Sequence, residues 1–332
     1  MKRLPLFVLT FLVALIAGLP FVWISIRNRV AAEPQESNTS GNTLQKPTYL
    51  SRQNNIPEPP SADEYKEALG DIWITSDRYK VGDYVIRRSC QAESEKCGLL
   101  IKRNGKTLGR FEITDANKHW LRYGFFNFLG KKEKQLVVHK YSGGAHCCYD
   151  YTIYDLEPKF RIVYSSASFD SANEIGDELV PIDIDKDGVY EFYQDVMAFD
   201  YMAEGGHATA SFPPAIFRFD KNQGEFILTN RRFPDYVLQK LNQNIEGLDH
   251  WRRDNEKSGS RIDDEEMNEI RVRETFLYLV YAGKRDEGWE YFQKNYRSET
   301  GNQYQDQFRD KFIKDFRQLF AKDPTYRSIY EQ

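Results

Sequence analysis

The sequence predicts an α+β protein, in which an antiparallel β-repeat domain is followed by a C-terminal α-helical region and preceded by one N-terminal membrane helix. Three observations lead there. Leu4 to Ile26 carries no charge, and as a helix it is long enough to cross a hydrocarbon layer of roughly 30 Å. From Asp71 to about Asn230 the chain is a series of short Val, Ile, Tyr and Phe runs separated by Gly, Asn and Asp, the pattern of strands joined by turns. After Phe233-Pro234 the apolar spacing lengthens to the helical period.

Taken in order, residues 1–26 read as a signal anchor, with Trp23 near the far end where an interfacial aromatic belongs. Removal as a signal peptide at Val30-Ala31-Ala32 is the alternative, although Arg27 and Arg29 then stand between the apolar run and the cleavage site. Residues 27–62 are rich in Ser, Asn, Gln, Thr and Pro with hardly an apolar cluster, so they cannot offset the entropy of ordering and read as a disordered stalk. Residues 63–233 read as the β-repeat domain. There "YVIRRS", "KQLVVHKYS", "YTIYDL", "FRIVYSS" and "AIFRFD" are strand-like, and Asn104-Gly105 between "GLLIKR" and "KTLGRFEI" is a hairpin signal. Two stretches share one order of turn, strand, glycine pair and strand: the first runs through Gly143-Gly144 and His146, the second through Gly205-Gly206-His207. Such repetition points to stacked or radial β architecture.

Residues 234–332 read as an α-helical domain. In its last helix Tyr304, Phe308, Phe312, Phe316 and Phe320 recur every fourth position to form one apolar face. Gly283, Gly288 and Phe292, after Leu279, have the spacing of a tetratricopeptide helix pair, but a single copy does not make a solenoid.

Length and composition, 332 residues with 40% hydrophobic and 29% charged, suit a globular body with a sizeable core. A net charge of -4 and a pI near 5.9 give no general attraction to nucleic acid or anionic lipid, and nucleic-acid binding is set aside.

The clearest chemistry lies in Asp183-Ile184-Asp185-Lys186-Asp187-Gly188-Val189-Tyr190-Glu191. Alternate side chains of an extended loop point the same way, so Asp183, Asp185, Asp187 and Glu191 converge. Gly188 lets the backbone reverse, bringing the Val189 carbonyl to the same centre. Four converging carboxylates repel one another, and a hard divalent cation removes that cost; oxygen-only ligands in a flexible loop suit Ca²⁺. Position 12 is Gln194 and the flanks are strand-like, so the loop is not an EF-hand.

These residues resemble the calcium loops of FG-GAP or VCBS repeats, the units of integrin-type β-propellers, over about residues 120–220. The resemblance implies a propeller-blade-like, extracytoplasmic fold whose turn is tied by calcium, with interaction as its commonest role. In the other copy Asn127, Leu129, Lys131 and Lys132 hold the matching positions, so that turn is expected to bind no metal.

Four cysteines, Cys90, Cys97, Cys147 and Cys148, behind an export signal favour disulfides. Cys90 and Cys97 close a polar loop and pair readily, leaving Cys147 and Cys148 as a vicinal bridge; crossed pairing is the rival. His146, Cys147 and Cys148 are consecutive and cannot all face one zinc ion.

The function expected is a membrane-tethered extracytoplasmic binding or structural module, its body in the periplasm or extracellular space. A protein or glycan ligand would be met by aromatics such as Tyr149, Tyr151 and Tyr201. The alternative is an envelope hydrolase using Asp195, Asp200, Glu204 and His207 beside the calcium loop, against which stands the lack of Gly-x-Ser-x-Gly or His-Glu-x-x-His.

Overall fold

A computed structural model describes residues 74, 76–91, 96–113, 121–130, 135–141, 149–166, 179–200, 202, 209–259, 264–296 and 303–322. All lie in the unit Pro47–Gln332. They form three antiparallel sheets of four strands each, and each sheet is built from consecutive strands. The first holds β1 (Arg78–Val81), β2 (Tyr84–Gln91), β3 (Lys96–Arg103) and β4 (Lys106–Ile113). The second holds β5 (Leu121–Phe126), β6 (Gln135–Tyr141), β7 (Tyr149–Asp155) and β8 (Arg161–Ser165). The third holds β9 (Val180–Ile182), β10 (Glu191–Asp195), β11 (Pro214–Asp220) and β12 (Glu225–Leu228). Four described helices follow: α1 (Pro234–Lys257), α2 (Asp264–Tyr281), α3 (Arg285–Asn295) and α4 (Gln303–Lys322).

Period-two alternation decides which faces meet. Tyr84, Ile86, Cys97, Leu99 and Ile101 of the first sheet share a core with Leu121, Tyr123, Leu136, Val138 and Tyr154 of the second. The opposite face of the second sheet, with Val137, Tyr151, Ile153 and Val163, enters a larger core with the third sheet and the helices. Covered on both sides, the second sheet is apolar on both, which is why Leu136, Val137 and Val138 follow one another in "QLVVHKY". Phe192 is the hub between second and third sheets, with ring centroids 4.7 Å from Tyr164 and 5.9 Å from Phe128. The Tyr164 hydroxyl donates to Gln194 Oε1 across the same boundary, at 2.5 Å.

The turns use the chemistry their geometry demands. Asn104 and Gly105 have φ of 48° and 79°, the paired positive values of a type I′ hairpin. At the helix boundary Pro234 takes the first helical position, where its missing N–H costs nothing. Just before it, Asn230 is buried; its Oδ1 accepts the Ile216 N–H (2.8 Å) and its Nδ2 donates to the Pro214 carbonyl (2.7 Å), holding β11 where no further strand pairs. α2 ends in a Schellman motif at Gly283, where the Gly283 N–H bonds the Val280 carbonyl and the Lys284 N–H the Leu279 carbonyl. α3 then folds back, and Gly288 lies so close that a Cβ there would stand 3.3 Å from the Phe276 carbonyl and from the Leu279 Cβ. Within the apolar face expected for α4, Phe312 and Phe316 are fully buried against Phe276 and Phe292.

Among the described residues no helix is long and apolar enough to cross a membrane. Residues 1–26 and 27–62, to which the anchor and stalk are assigned, lie outside the described residues.

Candidate metal-binding loop

The acidic loop spans residues 183–190 between β9 and β10. Lys186 and Gly188 take φ of 58° and 79°, so the backbone reverses inside the loop. Asp183 governs the reversal by accepting the Asp187 N–H on Oδ1 and the Gly188 N–H on Oδ2, both at 3.0 Å. Asp187 Oδ1 accepts the Val189 N–H at 2.9 Å. Asp183, Asp185 and Asp187 each place a carboxylate oxygen within 4.8 Å of the others. Glu191, at 0% exposure, closes the loop from below by accepting the Ile184 N–H on Oε2 at 3.0 Å.

Glu191 is brought to the same charge centre through Arg218 of β11. The Arg218 guanidinium reaches Asp185 (3.1 Å) and Asp187 (2.5 Å) and also bonds Glu191. Arg232, in the turn before α1, reaches Asp185 at 2.9 Å. Asp185, Asp187 and Glu191 therefore face two guanidinium groups while Asp183 accepts backbone N–H groups, so the four carboxylates outnumber their cations. Burial pushes the Glu191 carboxyl up to about 7, against the pull of the Ile184 N–H and Arg218. Partial desolvation works the same way on Asp187, but the Val189 N–H and Arg218 prevail and hold its carboxyl below the usual range.

The donor set fits a hard divalent cation: oxygen ligands converge, their charge is in excess, and a positive-φ glycine supplies the bend. Asp183, Asp185, Asp187 and Glu191 are the carboxylates that would hold it, with the Val189 carbonyl; Asp185 and Asp187 would have to release Arg218 to do so.

The turn of the other copy packs directly on this loop. The Tyr190 N–H donates to the Phe128 carbonyl at 2.7 Å, and a Cβ on Gly130 would lie 2.5 Å from the Gly188 carbonyl oxygen. Arg218 and Arg232 escape sequence reasoning because they arrive from a neighbouring strand and a distant turn. The signal for the first was present in "AIFRFD", where a cation interrupts an aromatic strand.

Cys97 is disulfide-bonded and 2% exposed. The β2–β3 register sets the Cys90 backbone directly opposite it. Gly143, Gly144, His146, Cys147 and Cys148 lie outside the described residues, as do Tyr201, Glu204 and His207. Asp195 and Asp200 flank the short 3-10 turn Met197–Phe199. One expectation is corrected: Tyr151 is 3% exposed, its ring 4.7 Å from that of His139, so it is a core residue and cannot meet a ligand. It points inward because the second sheet has no solvent face in this part.

No protein-family model, curated protein or solved structure matches the chain.

Proposed function

We propose that this protein is a membrane-tethered, extracytoplasmic binding or structural module whose propeller-blade-like sheets are stiffened by one Ca²⁺ in the 183–191 loop. The observation that carries the reading is that loop: three aspartates converge, the buried Glu191 adds a fourth carboxylate, and two guanidinium groups leave the charge unbalanced. The cation would supply electrostatic closure only, pinning the turn between β9 and β10. The half-buried Arg218 and the contacts at Gly130 would carry that stiffness to β11 and the second sheet. The disulfide at Cys97 supports placement in an oxidising compartment. An apolar segment at residues 4–26 supports the tether.

Extracellular calcium modules work with dissociation constants of about 10⁻⁴ to 10⁻³ M. Tenfold to hundredfold excess calcium should stabilise the folded form by about 1.4 to 2.7 kcal/mol, so the melting temperature should rise with calcium and fall with chelator. Asp185→Ala should remove most of that response. A melt that chelator leaves unmoved, with no binding heat at millimolar calcium, would reduce the loop to an acidic turn closed by Arg218.

A further inference from the structure

The first sheet has one buried face and one open face, and the open face is basic. Arg78, Lys80, Arg87 and Arg110 are exposed and Lys102 half-exposed, on strands whose alternate residues Tyr84, Ile86, Leu99 and Ile101 are buried. The register sorts them into two rows crossing all four strands. One is Arg78, Arg87, Leu100, Arg110; the other is Lys80, Val85, Lys102, Thr107. With strands roughly 4.8 Å apart and rows two residues apart, the rows span roughly 14 Å and lie roughly 7 Å from each other.

Arg78, Lys80, Arg87 and Lys102 make no ion pair or side-chain hydrogen bond among the described residues. Asp77, the nearest acid in sequence, is turned to the other side, where it holds Arg88 at 2.9 Å; by register Glu112 shares the open face, one row beyond Arg110, so the cations of this face outnumber its acid. Arg78 and Arg87 are direct cross-strand partners, an arrangement of like charges that weakens a sheet unless something outside neutralises it. A chain with a net charge of -4 thus concentrates cations on one sheet face, which its total charge concealed.

We propose that this face docks on an anionic membrane surface. The cations spread in two dimensions, in two rows across four strands, which suits an array of headgroups more than a single polymer strand. The half-buried Val85 and Leu100 lie between the cations, and among the described residues the face has no aromatic platform on which a sugar or base would stack. Tyr79, the exposed aromatic of these strands, lies on the opposite side with its ring 5.7 Å from Phe125. Attraction of this kind acts within a Debye length, about 8 Å at physiological ionic strength. Taken with the tether proposed above, on which the high local concentration at the membrane rests, the face would lay the first sheet against the bilayer.

Full-length protein should be reconstituted into vesicles of phosphatidylcholine alone or with phosphatidylglycerol, and lysine acylation should be followed by mass spectrometry. Lys80 and Lys102 should label about threefold or more slowly in the anionic vesicles at low salt and recover at high salt, while Lys294 and Lys314 on the helices keep their rates. Arg78→Gln with Arg87→Gln should cancel the protection. Equal labelling of Lys80 in both vesicles by the wild type overturns the proposal without recourse to any variant. Protection by a soluble sulfated polysaccharide and not by anionic vesicles overturns it in favour of a glycan. Loss of the chain from neutral vesicles would sink the tether reading alone, since the labelling contrast with added vesicles still reports on the face.

Discussion

Gln135 and Glu191 each open the second strand of their sheet, each is fully buried, and each accepts a backbone N–H from seven residues earlier: Phe128 at 2.9 Å and Ile184 at 3.0 Å. The turns they brace nevertheless differ in charge. One carries Asn127, Leu129, Lys131 and Lys132 at the matching positions, the other Asp183, Asp185 and Asp187. The shared hydrogen bond shows that an acceptor at this place belongs to the architecture of the hairpin, because an N–H turned into a core must find a partner. What distinguishes the second loop is charge, and charge on a brace that an amide serves equally well calls for compensation. Arg218 and Arg232 supply part of it.

The comparison can be broken or sharpened by substitution. The largest effect should come from Phe192→Ala, which removes the ring between the second and third sheets and should cost about 3–5 kcal/mol in denaturant unfolding. A loss under 1 kcal/mol would show that the two sheets do not share a core. Next, Arg218→Ala in chelator should cost up to about 3 kcal/mol by leaving the buried Glu191 and its neighbours without their cation. Added calcium should then recover more stability than it gives the wild type; recovery smaller than in the wild type would make Arg218 a support for the ion and not its competitor.

Gln135→Ala, in the turn that lacks the aspartates, should cost about 1–3 kcal/mol by orphaning the Phe128 N–H. Glu191→Ala should cost a similar amount for the same reason. If only the second is destabilising, the frame is not shared.

The smallest effect at acid pH, and the most diagnostic, belongs to Glu191→Gln, which gives the second loop the brace of the first. Glu191 titrates near 7 when folded and near its ordinary 4.5 when unfolded, so its contribution is fully present below about pH 4.5 and is lost as pH rises through about 7. With chelator present, wild type and variant should therefore have similar stability at pH 4.5. The variant should become the more stable of the two by pH 8. Parallel stability curves across that range would show that burial does not disfavour the Glu191 charge.

Local chemistry was legible in the sequence by itself. Alternating runs became strands, Asn104-Gly105 became a hairpin, Pro234 opened a helix, and Asp183 to Glu191 became a turn with its aspartates together, because each depends on residues a few positions apart. The two turns expected to match in sequence each have their backbone braced by a buried side chain seven residues on, Gln135 and Glu191. Tertiary structure alone decided what lay across space. It buried Tyr151 by covering both faces of the second sheet, and it carried Arg218 and Arg232 to carboxylates of a distant loop. It also gathered Arg78, Lys80, Arg87 and Lys102 onto one face. Periodicity fixes which side of a strand a residue takes, but only the pairing and stacking of sheets determine whether that side meets a core, a counter-charge or water.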